Sequence, residues 1–106
     1  MSRYTDTLTP AVQEILGDKF TVYTNDNWNG RLLIDHCEGA SEMIYIDDDG
    51  RRNATEKDVT DSVLNYYHKV RKNSRNPNYT NKARVQYFYA LVDMSHIADT
   101  LLTSQV

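Results

Sequence analysis

The alternation of apolar and polar positions changes period three times along the chain. Thr9 is placed as an N-cap with Pro10 at the first helical position, Val12, Ile15 and Leu16 follow as apolar positions, and Gly17 is placed to end a short helix. From Phe20 the period shortens to two. Phe20 to Thr24, Arg31 to Cys37 and Glu42 to Ile46 read as strands, separated by turn-rich segments at 25–30 and 38–41. Ile44 and Ile46 share one face of the third strand while Met43 and Tyr45 share the other, so the sheet is expected to be partly apolar on both sides, with one side against helices.

After Asp47-Asp48-Asp49-Gly50 the helical period returns. Thr55 with Asp58 three residues later has the form of a capping box, and Val59, Val63, Tyr66 and Val70 make the apolar stripe of a second helix with Tyr67 on its flank. Its acids lie in the first turns and its bases in the last, which suits the helix dipole. A break at Asn76-Pro77-Asn78 precedes a third helix from about Asn81 to Thr103. Its apolar residues cover roughly two-thirds of the circumference, more than a surface helix needs. It is therefore expected to run through the middle of the fold or to give part of its surface to a homodimer. The sum is one α+β domain over residues 1–106, in the order helix, three-stranded antiparallel meander, two helices (αβββαα).

Composition narrows the class. The 106 residues are 40% hydrophobic and 25% charged with few Gly and Pro, and no apolar run reaches 18 residues. A globular chain without a membrane span or secretory leader is expected. Cys37 is the one cysteine, which excludes an internal disulfide and favours a reducing, cytoplasmic setting. It is read as a small core residue, and strand alternation is expected to put it on the opposite face from His36, so that the two form no catalytic dyad.

The net charge of −3 hides a division. Residues 1–50 hold three bases against ten acids, whereas residues 51–84 hold nine bases against three acids. An acidic end and a basic end follow, provided that the two do not fold onto each other. On the acidic side, Asp35, Glu38, Glu42, Asp47, Asp48 and Asp49 can imitate a phosphate backbone, and Trp28 in the Asn-rich loop is the candidate exposed anchor; together they form the leading partner-binding set. On the basic side, Lys69, Arg71, Lys72, Arg75, Lys82 and Arg84, interleaved with Asn and Tyr79, form the alternative, a nucleic-acid-binding set. Eight tyrosines against two phenylalanines and one tryptophan favour interfaces over dry cores.

Support for catalysis is thin. Nucleophile-elbow, Walker, dinucleotide and zinc-protease motifs are missing, and the one aligned constellation is Tyr89, Asp93 and His96 on the polar stripe of the third helix. A calcium loop centred on Gly50 would place Asp47, Asp49 and Glu56 correctly but puts Tyr45 where the first carboxylate belongs. No metal or cofactor is expected.

The element order resembles that of the double-stranded RNA-binding domain over residues 9 to 75, although the lysine-rich motif of that family is replaced here by Asn53-Ala54-Thr55-Glu56-Lys57-Asp58. Over the whole chain, the element order, size and acidic strand region resemble small phage-encoded inhibitors of host defence, including some anti-CRISPR proteins. That resemblance implies a non-enzymatic protein that covers a surface of a host protein, one that itself handles nucleic acid.

Overall fold

The computed structural model describes residues 4–25, 27, 30–46, 50 and 53–104. Trp28, Asp47, Asp48 and Asp49 lie outside the described residues. The order of elements is α1 (Tyr4–Leu16), β1 (Phe20–Tyr23), β2 (Arg31–His36), β3 (Ser41–Tyr45), α2 (Glu56–Asn73) and α3 (Asn81–Ser104), an α+β fold in the expected sequence. The strands form one antiparallel sheet, β1-β2-β3, with Val22 opposite Ile34 and Leu32 opposite Ile44.

One face of the sheet supplies Phe20, Val22, Leu32, Ile34 and Ile44 to the core, where they meet Leu8, Val12 and Leu16 of α1 and Val63, Tyr66 and Val70 of α2. The opposite face carries Tyr23 and Tyr45, both exposed, with Leu33 and Met43 half-buried between them. The sheet is thus partly apolar on both sides, as its alternation implies. Helix α2 opens with the expected capping box, the Thr55 hydroxyl accepting from the Asp58 backbone N–H and the Asp58 carboxylate accepting from the Thr55 N–H.

Helix α1 differs from expectation. It begins at Tyr4, so Pro10 lies in its interior and Thr9 is not a cap; the buried Thr9 hydroxyl has no hydrogen-bond partner among the described residues. Tyr4 and Leu8 explain the extra turns. With Val12 and Leu16 they make a buried row at four-residue spacing, while Ile15 turns outward. Burying two large side chains, worth about 1.5–3 kcal/mol each, offsets the lost hydrogen bond and strain of an interior proline, about 3 kcal/mol. Thr7 ties this first turn down by donating to the Tyr4 carbonyl and accepting from the Ala54 N–H at 2.7 Å. Gly17 ends the helix as expected, with φ +87° and its N–H on the Gln13 carbonyl.

Both edges of the sheet are closed by helix side chains. On the β1 edge, the Gln13 amide donates to the carbonyls of Gly17 (3.0 Å) and Phe20 (2.8 Å) and accepts from the Val22 N–H (2.9 Å). On the β3 edge, the Tyr87 hydroxyl donates to the Ser41 carbonyl and the Lys69 ammonium to the Met43 carbonyl (2.7 Å). Helix α3 packs chiefly on α2. Only Ala90, Met94 and Ala98 of it are fully buried, so it does not run through the middle of the fold.

Two stability predictions follow from these contacts. Gln13→Ala should cost about 2–3 kcal/mol in denaturant unfolding, because the Phe20 carbonyl and the Val22 N–H lose their partner and the Gly17 carbonyl keeps only the Phe20 N–H. Gln13→Glu should be no better at neutral pH, since its carboxylate faces two carbonyls; a glutamate variant as stable as the wild type would contradict the bridging role. Tyr66 is fully buried and its hydroxyl has no partner among the described residues, while burial and nearby acidic groups push its pKa up. Tyr66→Phe should therefore keep or raise the melting temperature, by an amount equivalent to about 1 kcal/mol.

Candidate functional site

The corner between α2 and α3 is built by local polar groups. The C-cap residue Ser74 donates its N–H to the Val70 and Lys72 carbonyls, the Asn76 side chain accepts from the Asn78 N–H, and the Thr80 hydroxyl caps α3 by accepting from Ala83. Arg71, Lys72, Arg75 and Lys82 stand exposed around this turn, with no acidic partner among the described residues, and Arg84 bonds the side chain of Asn81. No acid occurs between His68 and Arg84. Tyr79 stacks on Tyr87 with ring centroids 5.8 Å apart, and the amino end of the 24-residue α3 adds its positive dipole end to the same corner. Lys69 is the exception in the basic set. It turns back to β3, lying 3.7 Å from Glu42 and 5.4 Å from the centre of the Tyr45 ring.

The acidic set is partly consumed within the fold. Glu42 accepts from the Asn73 amide (3.0 Å) and the Tyr87 hydroxyl (3.2 Å) and pairs with Lys69, so acidic strand and basic helix meet here instead of remaining apart. Burial, and then the charge of Glu42 and the hydrogen bond to it, push the Tyr87 hydroxyl up to about 12. Asp35 accepts from Tyr23 (3.0 Å) and Ser41 across the outer face of the sheet. Burial first, then Asp35, raise the Tyr23 pKa. Of the described acids in this set, Glu38 alone is exposed without a side-chain contact.

A cluster that strand periodicity excluded lies at the end of β2. Cys37 Sγ is 3.8 Å from His36 Nε2, because Cys37 sits one residue beyond the strand, in a turn where alternation no longer applies; its side chain is exposed, not in the core. His36 is buried, and its Nε2 lies 2.6 Å from Asp93 on α3, whose other oxygen is 3.3 Å from Lys19. His36 Nδ1 accepts the Glu38 N–H, which leaves the neutral ring's proton on Nε2, given to Asp93. Burial opposes the charge on Asp93, but the hydrogen bonds from His36 and Lys19 and the Lys19 charge outweigh it and hold its pKa below the ordinary value.

This arrangement is a clasp between sheet and helix. In a thiol–imidazole–carboxylate triad the acid orients one ring nitrogen and the thiol meets the other. Here both crowd Nε2. The ligand atoms of His36, Cys37 and Asp93 do lie within 4.8 Å of one another, yet a metal on Nε2 would force the proton onto Nδ1, against the Glu38 N–H, with the Lys19 ammonium alongside. The residues present do not fit a metal. The Tyr89, Asp93, His96 constellation also dissolves, since Asp93 turns to His36 while Tyr89 and His96 face solvent. A cleft of about 200 Å³ beside Tyr4 and Ile44 holds Asp58 and Asp61, but the first caps α2 and the second pairs with Lys57.

Comparison of the chain with protein-family models, curated proteins and solved structures finds no match. The corner residues were visible in the sequence as an acid-free basic run. The contacts of Asp93 with His36 and Lys19 span 57 and 74 positions and left no local signal.

Asp93→Ala should cost about 1–3 kcal/mol at pH 7, because the buried His36 N–H loses its acceptor. The folded-state pKa of Asp93 is depressed, so its ionic contribution is present above the unfolded value of 3.8 and is lost as the pH falls through the lower folded value. The stability gap between wild type and variant should narrow as the pH falls below about 4; a gap unchanged between about pH 5 and about pH 2 would contradict the part of the carboxylate in the clasp.

Proposed function

We propose that this chain is a non-enzymatic binding protein whose contact surface is the cationic α2–α3 corner, and that its ligand is the phosphate backbone of a nucleic acid. The observation that carries this reading is the position of Arg71, Lys72, Arg75 and Lys82, exposed around one turn and unneutralised by any described acid. Arg and Lys neutralise phosphates and release counterions, the Asn side chains of the turn offer hydrogen bonds to sugar and phosphate, and Tyr79 on Tyr87 supplies an aromatic platform against which a base can stack. The acidic remainder of the molecule orients it, repelling the nucleic acid everywhere except at this corner.

The phosphate-mimicking reading of the acidic strands has less support. Asp35 and Glu42 already spend their oxygens on internal donors, which leaves Glu38 as the described acid available to a basic partner. Among the described residues no assembled group supports an enzymatic reading.

Fluorescence anisotropy with labelled single- and double-stranded oligonucleotides tests the proposal. Binding should weaken with salt, with a slope of log K against log [salt] of roughly −4 on duplex if four to five phosphates are neutralised. Arg71→Glu with Arg75→Glu should abolish it while leaving the unfolding transition in place. No anisotropy change for either form at low salt would overturn the assignment.

A further inference from the structure

The outward row of α3 is apolar where a helix facing water should be polar. Val85, Phe88, Tyr89 and Val92 are 46%, 52%, 48% and 54% exposed. They recur at i, i+3, i+4 and i+7 and so fall within an arc of about 100° on the side opposite the buried Ala90, Met94 and Ala98. The core does not use this row. A shallow groove beside it, lined by Ser74, Asn81, Arg84, Val85 and Phe88, widens the apolar surface toward α2.

We propose that this row is the interface with a second copy of the chain, the two α3 helices packing antiparallel about a two-fold axis that passes between Phe88 and Tyr89. The order aliphatic, aromatic, aromatic, aliphatic reads the same in both directions. A perpendicular two-fold axis at its midpoint therefore sets Val85 against Val92 of the second copy along the seam and brings Phe88 beside Phe88 and Tyr89 beside Tyr89 on its two flanks, the self-complementarity an isologous contact requires.

Charge selects the direction. Lys82 lies beyond one end of the row and Asp99 beyond the other. Antiparallel packing brings Lys82 to within about one helical turn, roughly 6 Å along the axis, of Asp99 on the second copy, within reach of a lysine side chain. Parallel packing would instead set lysine beside lysine and aspartate beside aspartate. About this axis residues 81–96 of the two helices overlap, a contact about 24 Å long and about 10 Å wide that covers roughly 240 Å² of each copy by projection, well under the usual ~800 Å², so the pairing is weak and reversible.

Sedimentation equilibrium of the full chain over a wide concentration range should show the mass rising from 12.3 kDa toward twice that value. Val92→Glu should weaken association at least tenfold with an unchanged unfolding transition, as its position is exposed. Lys82→Glu should weaken it, and Lys82→Glu with Asp99→Lys should restore it. For the direction, chains carrying Cys37→Ser with either Val85→Cys or Val92→Cys should form a disulfide-linked dimer on oxidation when mixed and not when alone. A single-chain mass at all concentrations, association indifferent to Val92→Glu, or cross-linking within either unmixed variant would overturn the proposal.

Discussion

A three-stranded sheet has two edges and only one strand between them, so a large share of its backbone groups would point at water or at another chain. This protein meets that constraint with side chains borrowed from its helices. The Gln13 amide stands in for a missing strand beside β1, and Tyr87 and Lys69 do the same for the carbonyls of β3. The contacts that close the sheet also fix the helices: α1 is held at its carboxyl end, α2 in its last turns and α3 near its start. The same side chains thus serve both the pairing of the sheet and the docking of the helices.

The same economy accounts for the fate of the charges. Lys69 and Glu42 belong to stretches of opposite sign, and each is drawn out of its stretch because the β3 edge needs a donor and the Tyr87 and Asn73 groups need an acceptor. What remains outside is uneven. The cations around the α2–α3 turn stay exposed because a helix end and a proline-bearing turn offer no acid nearby, whereas Asp35 and Glu42 lie on strands where neighbouring side chains are within reach on both sides.

Local patterns carried most of the fold. The capping box at Thr55, the 59-63-66-70 stripe, the strand alternation and Gly17 each act over a few residues, and each appears in place. Pro10 misled because its fixed φ suits a first turn, while the burial that overrides it, of Tyr4 and Leu8, depends on a core that no local pattern displays. Gln13 resembles any polar helix residue until β1 is folded against it. His36 and Cys37 were separated by a rule that holds inside strands and fails one residue past their end, where Gly39, at φ +109° and with Gln86 so close that a Cβ would collide with it, bends the chain.

Gln13, Tyr87, Lys69 and Asp93 each answer to several groups at once, so their replacement disturbs sheet and helix together. The outward row of α3 answers to nothing inside its own molecule. Over evolutionary time these two classes should drift at different speeds, the first held nearly still by the requirement to fold and the second moving only as whatever it touches moves. Homologues with the same scaffold and a rewritten 85–92 row would be the trace of that difference.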